Sequence, residues 1–331
     1  MFATDLLVAH AGELGGVSRL CGGGGRERGW VDLPHAVFLV ASAHEGVVYA
    51  LHGTASAGFV SVIDVGRDGL TVRHTLETAE EPCHATMIGD RHLAVACYAA
   101  GRIDLFTIED DGALKGPTRS ILLQGSGPDR DRQDAAHPHF VAAEEDGSIL
   151  VVDLGCDTLW HIENPLARPH VRPHARAVGG AGPRHAIDLD HLRVVTDELS
   201  GHISVFARED ARLVGRAAVS AAATGAPSYP SDLALVPGTR LIAVGVRGRS
   251  AVSILRLDEA GTPTLCEEVS VPGSWVQQVL PQPGGVVAVD RDGGRLLEIT
   301  IDPERSRPAR WRELRGGMTA PMWALPHRGV V

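Results

Sequence analysis

Short apolar runs recur along the chain, each followed by a polar or glycine-containing turn and a second alternating run. They read AVFLVA then GVVYALHG (36–41, 46–53), HLAVACYAAGRIDLFTI (92–108), SILVVDLGCDTLWHI (148–162), HLRVVTDELSGHISVFA (191–207), RLIAVGVRGRSAVSILRL (240–257) and GVVAVDRDGGRLLEITI (285–301). A period of two bounded by turn residues is the pattern of β-hairpins, and long stretches of helical period are almost absent. The chain therefore reads as all-β and repetitive.

The repeats can be set in phase. His84 to Tyr98, His139 to Asp153, Arg184 to Glu198 and Gln277 to Arg291 are each 14 residues apart. The series His35, His84, His139, Arg184, Ser231, Gln277 and Trp323 advances by 49, 55, 45, 47, 46 and 46 residues. Each interval accommodates four short strands, one propeller blade. Six units fit at about 33–80, 81–124, 137–180, 181–220, 228–272 and 273–316. The remainder, 317–331 with 1–30, supplies a seventh. The prediction is a single-domain seven-bladed β-propeller over 1–331, its ring closed by N- and C-terminal strands in one blade, which removes exposed edges. Two stretches, 21–29 and 124–137, read as loose loops, the second a flap over the site.

In a blade, the loop entering the first strand and the loop leaving the second lie on one face. His84, His139 and Arg184 enter first strands; Tyr98, Asp153, Glu198, Arg247 and Arg291 leave second strands. A concave polar site on that face is the expectation. Asp153 before Leu-Gly also suits a turn, and Tyr98 an ordinary lining aromatic. Arg184 and His185 form a polar pair entering their strand. His137 and His139, two apart, would share a face of an extended strand.

Composition narrows the partners. The net charge of −10 argues against general nucleic-acid binding. Lys115 is the lone lysine among 31 basic residues, so any anion would meet arginine, which binds carboxylate and phosphate bidentately. Five dispersed cysteines without a CxxC pair suggest free thiols in a reducing compartment. The N-terminal segment lacks the basic and apolar regions of a secretory signal, and no run reaches membrane-span length, so a cytoplasmic location is expected. With no haem-attachment motif, GxGxxG or P-loop, no cofactor is expected; no metal is assigned, a cluster of His84, His137, His139 and His185 being the alternative.

The segment HPHFVAAEEDGSILVVDLGCDTLW resembles the central blade of the lactonase-type seven-bladed propellers, a family that includes propeller 6-phosphogluconolactonases and carboxymuconate-cyclising enzymes. PCHATMIGDRHLAVACYAAGRIDLF, GPRHAIDLDHLRVVTDELSGHISVF and PSDLALVPGTRLIAVGVRGRSAVSIL match in order, from about 35 to 300. The resemblance implies a catalytic set of His139, Arg184, Glu198 and Arg247, with Val246 where the family has Asn and His52 where a Glu is common. His84, Tyr98, His137, Asp153, His185 and Arg291 would bind substrate around it.

The implied chemistry is lactone hydrolysis or cyclisation, direction open, on a small carboxylate- or phosphate-bearing substrate. The arginines would hold the anion, with Glu198 and His139 as acid and base and no metal. The alternative is a non-catalytic ligand- or protein-binding scaffold. Partners would be a small anionic substrate, with no nucleic acid or membrane, and a monomer or weak homo-oligomer is expected.

Overall fold

The computed structural model describes residues 5–22, 25–221, 227–273, 275–304 and 306–327. Gly23 and Gly24 of the first glycine-rich stretch, and the ends 1–4 and 328–331 expected in the closing blade, lie outside them. The described elements are strands, in seven four-stranded antiparallel sheets. The fold is a seven-bladed β-propeller. Blades 1 to 6 span 36–78, 82–122, 138–176, 183–218, 229–270 and 276–315. Blade 7 joins Pro321–His327 to three strands from the other end of the chain, Asp5–His10, Gly16–Leu20 and Glu27–Asp32, in one sheet.

The chain divides into two compact units. Phe2–His174 with Met322–Val331 holds blades 7, 1, 2 and 3; Ala175–Pro321 holds blades 4, 5 and 6, the boundary falling in the last strand of blade 3.

Second strands are the apolar runs seen in the sequence. Ile149–Asp153, Leu192–Asp197, Leu241–Arg247 and Gly285–Asp290 are buried at every position, because each is covered on both sheet faces. Fourth strands behave oppositely. Leu70–Thr78 alternates between half-buried and exposed along its whole length, and Arg310–Arg315 is mostly exposed. Apolar clusters fill the space between successive sheets. In the first unit Tyr49, Leu51 and Val62 of blade 1 pack with Leu93, Val95 and Phe106 of blade 2. In the second, Ala243 and Ile254 of blade 5 pack with Val286, Ala288 and Leu297 of blade 6.

One irregularity repeats. Near the start of the first strand in blades 1 to 6, one extra residue faces the second strand, a β-bulge. The bulged positions are Val37, Cys83, His139, Arg184–His185, Ser231–Asp232 and Gln277. This corrects the phasing by one residue in blade 2 and by two in blade 1: Cys83, not His84, and Val37, not His35, are the counterparts of His139.

Candidate active site

In the unit 175–321 the bulges of blades 4 and 5 build a buried ionic centre. Arg184 Nε lies 3.0 Å from Glu198 Oε2, and Arg247 Nη2 reaches the same oxygen. The side chains of Arg184, Glu198 and Arg247 are 3, 5 and 10% exposed, so two guanidinium groups share one carboxylate away from bulk water. Local backbone geometry delivers them. Gly182 adopts φ +63°, and a Cβ there would lie 2.4 Å from Leu199 Cγ, so the turn before Pro183-Arg184 requires glycine. Glu198 N donates to Gly182 O at 2.8 Å, tying the end of the second strand to the entry of the first.

Arg184 is anchored on its far side by donating from Nη1 to Ser231 O. The Ser231 hydroxyl lies 2.6 Å from Val276 O and 3.1 Å from Gly245 O. A Cβ on Gly245 would sit 2.7 Å from that hydroxyl, so the residue opposite this bulge has no room for a side chain.

Behind the arginines, His185 Nδ1 lies 2.9 Å from Asp232 Oδ1, and Asp232 Oδ2 accepts from Val279 N at 3.2 Å. Burial pushes the Asp232 carboxyl up to about 7. Burial also holds His185 well below the usual imidazole range, and repulsion from Arg184 and Arg247 adds to it. Asp232 escaped the sequence reading. Its signal was present: Pro230-Ser231-Asp232 repeats Pro183-Arg184-His185 at 47 residues.

Trp275 was also missed. Its ring centroid lies 5.2 Å from the Arg247 guanidinium carbon and 4.5 Å from that of Arg291. Its backbone bridges Arg247, and its carbonyl accepts from Arg291 N at 3.0 Å. Arg291 and Arg247 are thus brought together through an aromatic ring that no motif announced.

The remaining expected residues lie in the other unit. The His137 ring stacks on Tyr98 at 4.5 Å, and the His139 ring meets Tyr98 edge-on at 5.6 Å. His137 Nδ1 lies 2.9 Å from Tyr98 O, and Nε2 lies 3.0 Å from Asp134. Cys83 Sγ, in the neighbouring bulge, is 3.7 Å from His139 O.

Three expectations change in this unit. His84 packs between Phe38 and Phe140, 4.4 Å from each ring, and its Nδ1 lies 3.4 Å from Val141 N, because it stands one residue past the bulge. Asp153 is fully buried and accepts from His137 N, Gly155 N and Trp160 Nε1 at 2.8, 3.0 and 3.0 Å. It organises the hairpin, as its turn reading allowed. The 124–137 stretch is pinned rather than loose: buried Gln133 donates to Leu154 O and Asp157 Oδ1, both at 2.8 Å. His52 is likewise structural, bonded to Ser61 at 2.9 Å and brought down to about 4 by burial. Among the described residues, no three His, Cys, Asp or Glu side chains gather as a metal ion would need.

Comparison with known proteins agrees with this architecture. Residues 28–315 match the family model "Lactonase, 7-bladed beta-propeller". A 6-phosphogluconolactonase of Bacillus subtilis is 24% identical over 292 residues, covering 83% of this chain and 82% of that protein. The periplasmic gluconolactonase of Pseudomonas aeruginosa superposes with a TM-score of 0.86 at 21% identity, over 99% of both chains. A virginiamycin B lyase of Staphylococcus aureus shares the fold more distantly, with a TM-score of 0.59 at 15% identity over 84% of this chain and 83% of that one. No helix is long and apolar enough to cross a membrane among the described residues. The match over 28–315, with seven four-stranded blades, places the chain in the lactonase family of seven-bladed β-propellers.

Proposed function

We propose that the chain hydrolyses the lactone of a small anionic sugar acid, with Arg184, Glu198 and Arg247 as its reactive centre. The observation that carries this reading is the sharing of Glu198 by two buried guanidinium groups. Two positive charges against one negative leave a surplus that burial makes expensive, and an incoming anion or developing oxyanion relieves it. The next carboxylate, Asp232, is pushed up to about 7 and so neutralises only part of that surplus near neutral pH.

In the reaction, water oxygen bonds to the lactone carbonyl carbon while Glu198 takes the proton that water releases. Arg184 and Arg247 hold the oxyanion that forms on the carbonyl oxygen. The ring carbon–oxygen bond then breaks, and the proton passes to the departing ring oxygen, giving the open hydroxy acid. The arginine pair supplies the positive charge, so we assign no metal to the step. The names of the Bacillus and Pseudomonas relatives favour opening a sugar-acid lactone over forming one. His139 takes its acid–base role from the family resemblance alone, and substitution of His139 by Asn tests it separately. A cytoplasmic location fits the five free cysteines, and fractionation decides between it and the periplasmic setting of the Pseudomonas relative.

The test is pH-stat assay of purified protein on 6-phosphoglucono- and glucono-1,5-lactone, corrected for spontaneous opening. Turnover lost on Glu198→Gln and Arg184→Ala supports the reading. Wild-type protein that accelerates neither lactone removes it.

A further inference from the structure

The reactive centre accounts for Arg184, Glu198 and Arg247 but leaves the neighbouring aromatic unused. Trp275 immediately precedes the first strand of blade 6, Val276–Gln282, and Arg291 immediately follows the second, Gly285–Asp290. Both guanidinium groups over the indole are held by cation–π attraction, at 5.2 Å for Arg247 and 4.5 Å for Arg291. Arg291 meets Asp292 through Nε at 2.6 Å, and its two terminal nitrogens make no hydrogen bond among the described residues.

Three polar atoms of this corner are buried yet have no hydrogen-bond partner among the described residues: Trp275 Nε1, Arg247 Nε and Gln277 Oε1. Gln277 occupies the bulge of its blade, the position held by Arg184 and His185 in blade 4. Buried polar atoms without partners are rare in folded proteins, and several at one place mark groups that await a ligand. Donors predominate here, and the charge is positive.

We infer that Trp275 and Arg291, beside Arg247 of the reactive centre, form a second oxyanion subsite, taking a negatively charged group of the substrate other than its lactone carbonyl. The inference rests on the lactone-hydrolysis reading above and extends it to substrate choice. The planar fork of Arg291, steadied on the indole, suits a phosphate or a carboxylate. The indole N–H adds a directional donor that a neutral hydroxymethyl group would use less well.

Selectivity is the readout. Wild type, Arg291→Ala and Trp275→Phe are compared on a phosphate-bearing lactone (6-phosphoglucono-1,5-lactone), a carboxylate-bearing one (glucaro-1,4-lactone) and neutral glucono-1,5-lactone. Arg291→Ala should lower the charged-to-neutral ratio of kcat/KM by about tenfold or more, chiefly through KM. Trp275→Phe, which keeps the ring and removes the N–H, should lower it by about threefold. The charged lactone with the larger fall identifies the group that the subsite takes. Ratios within about twofold of wild type in both variants overturn the inference. Calorimetric binding of inorganic phosphate provides an arm that needs no turnover. If wild type opens none of the lactones, the hydrolysis reading fails alone. The subsite then stands if Arg291→Ala weakens phosphate binding about tenfold, and falls if binding is equal.

Discussion

His185 and Asp232 face each other at 2.9 Å across the entries of two blades, with neither side chain open to solvent. Unfolded, near pH 5, the histidine holds a proton and the aspartate does not. Folded, Asp232 is pushed up to about 7 and His185 well down, so the aspartate holds it instead. Between about pH 4 and 6.5 the pair therefore binds one proton in either state, and its contribution to stability is flat. Asp232→Asn exposes the histidine's share: the depressed imidazole makes stability fall as pH drops below 6.5, by up to about 1.4 kcal/mol per pH unit. His185→Gln exposes the other share, since a raised carboxyl makes stability fall as pH climbs from about 4 to 7. Urea unfolding from pH 4.5 to 8 should give slopes of opposite sign. Equal slopes in the two variants would refute the proton exchange.

Glu198→Gln should lower kcat for lactone opening by about 10²–10⁴. It also leaves Arg184 and Arg247 buried against a neutral amide, destabilising the protein by about 3–5 kcal/mol. Assays should accordingly be run well below the midpoint of a thermal melt followed by circular dichroism. A variant that is folded and fully active would show that the carboxylate is only a counter-ion dispensable to the reaction.

Activity should survive exhaustive dialysis against EDTA, because the positive charge at the reactive centre comes from guanidinium groups. Loss on dialysis with recovery on adding back a divalent cation would reassign the electrophile.

Asp153→Ala removes the acceptor of three hydrogen bonds inside a hairpin. Stability should drop by about 1–3 kcal/mol. KM for the lactone should stay close to wild type, and a rise of more than about tenfold would return Asp153 to the substrate.

Gln133→Ala should free the 124–137 stretch by removing its two bonds to Leu154 O and Asp157. Limited proteolysis would then cut within 128–134 at protease levels that leave wild type intact. Unchanged cleavage would mean that the turn around Asp129, which accepts from Asp131 N and Arg132 N, holds the segment unaided.

The second and third strands were legible because burial on both faces writes continuous apolar runs such as LIAVGV and GVVAV. The fourth strands were not, because RWRELR and HVRPHAR lie at the outer edge, where solvent tolerates any polar side chain. At the site, Arg184, Glu198 and Arg247 could be named from spacing and resemblance, since strand ends fix where such residues fall. Asp232 and Trp275 escaped for different reasons. Asp232 acts through a partner 47 residues away, which a linear scan does not pair. Trp275 matters through its contact with two arginines, a property of ring placement rather than of residue type. His84 misled because an offset of 14 fixes the spacing of a pair but not its register: Cys83, in the bulge, and Cys97, each one residue earlier, keep the same offset and are the counterparts of His139 and Asp153.

The same bulge has a bearing on how such a molecule acquires new chemistry. A residue left out of the strand ladder can be exchanged without disturbing the register on either side. Val37, Cys83, His139, Arg184, Ser231 and Gln277 thus occupy equivalent sockets on a fixed frame, each accepting a different plug. A lineage built this way can change substrates one socket at a time while the strands beneath keep their pairing, which makes the scaffold evolvable where it is least constrained.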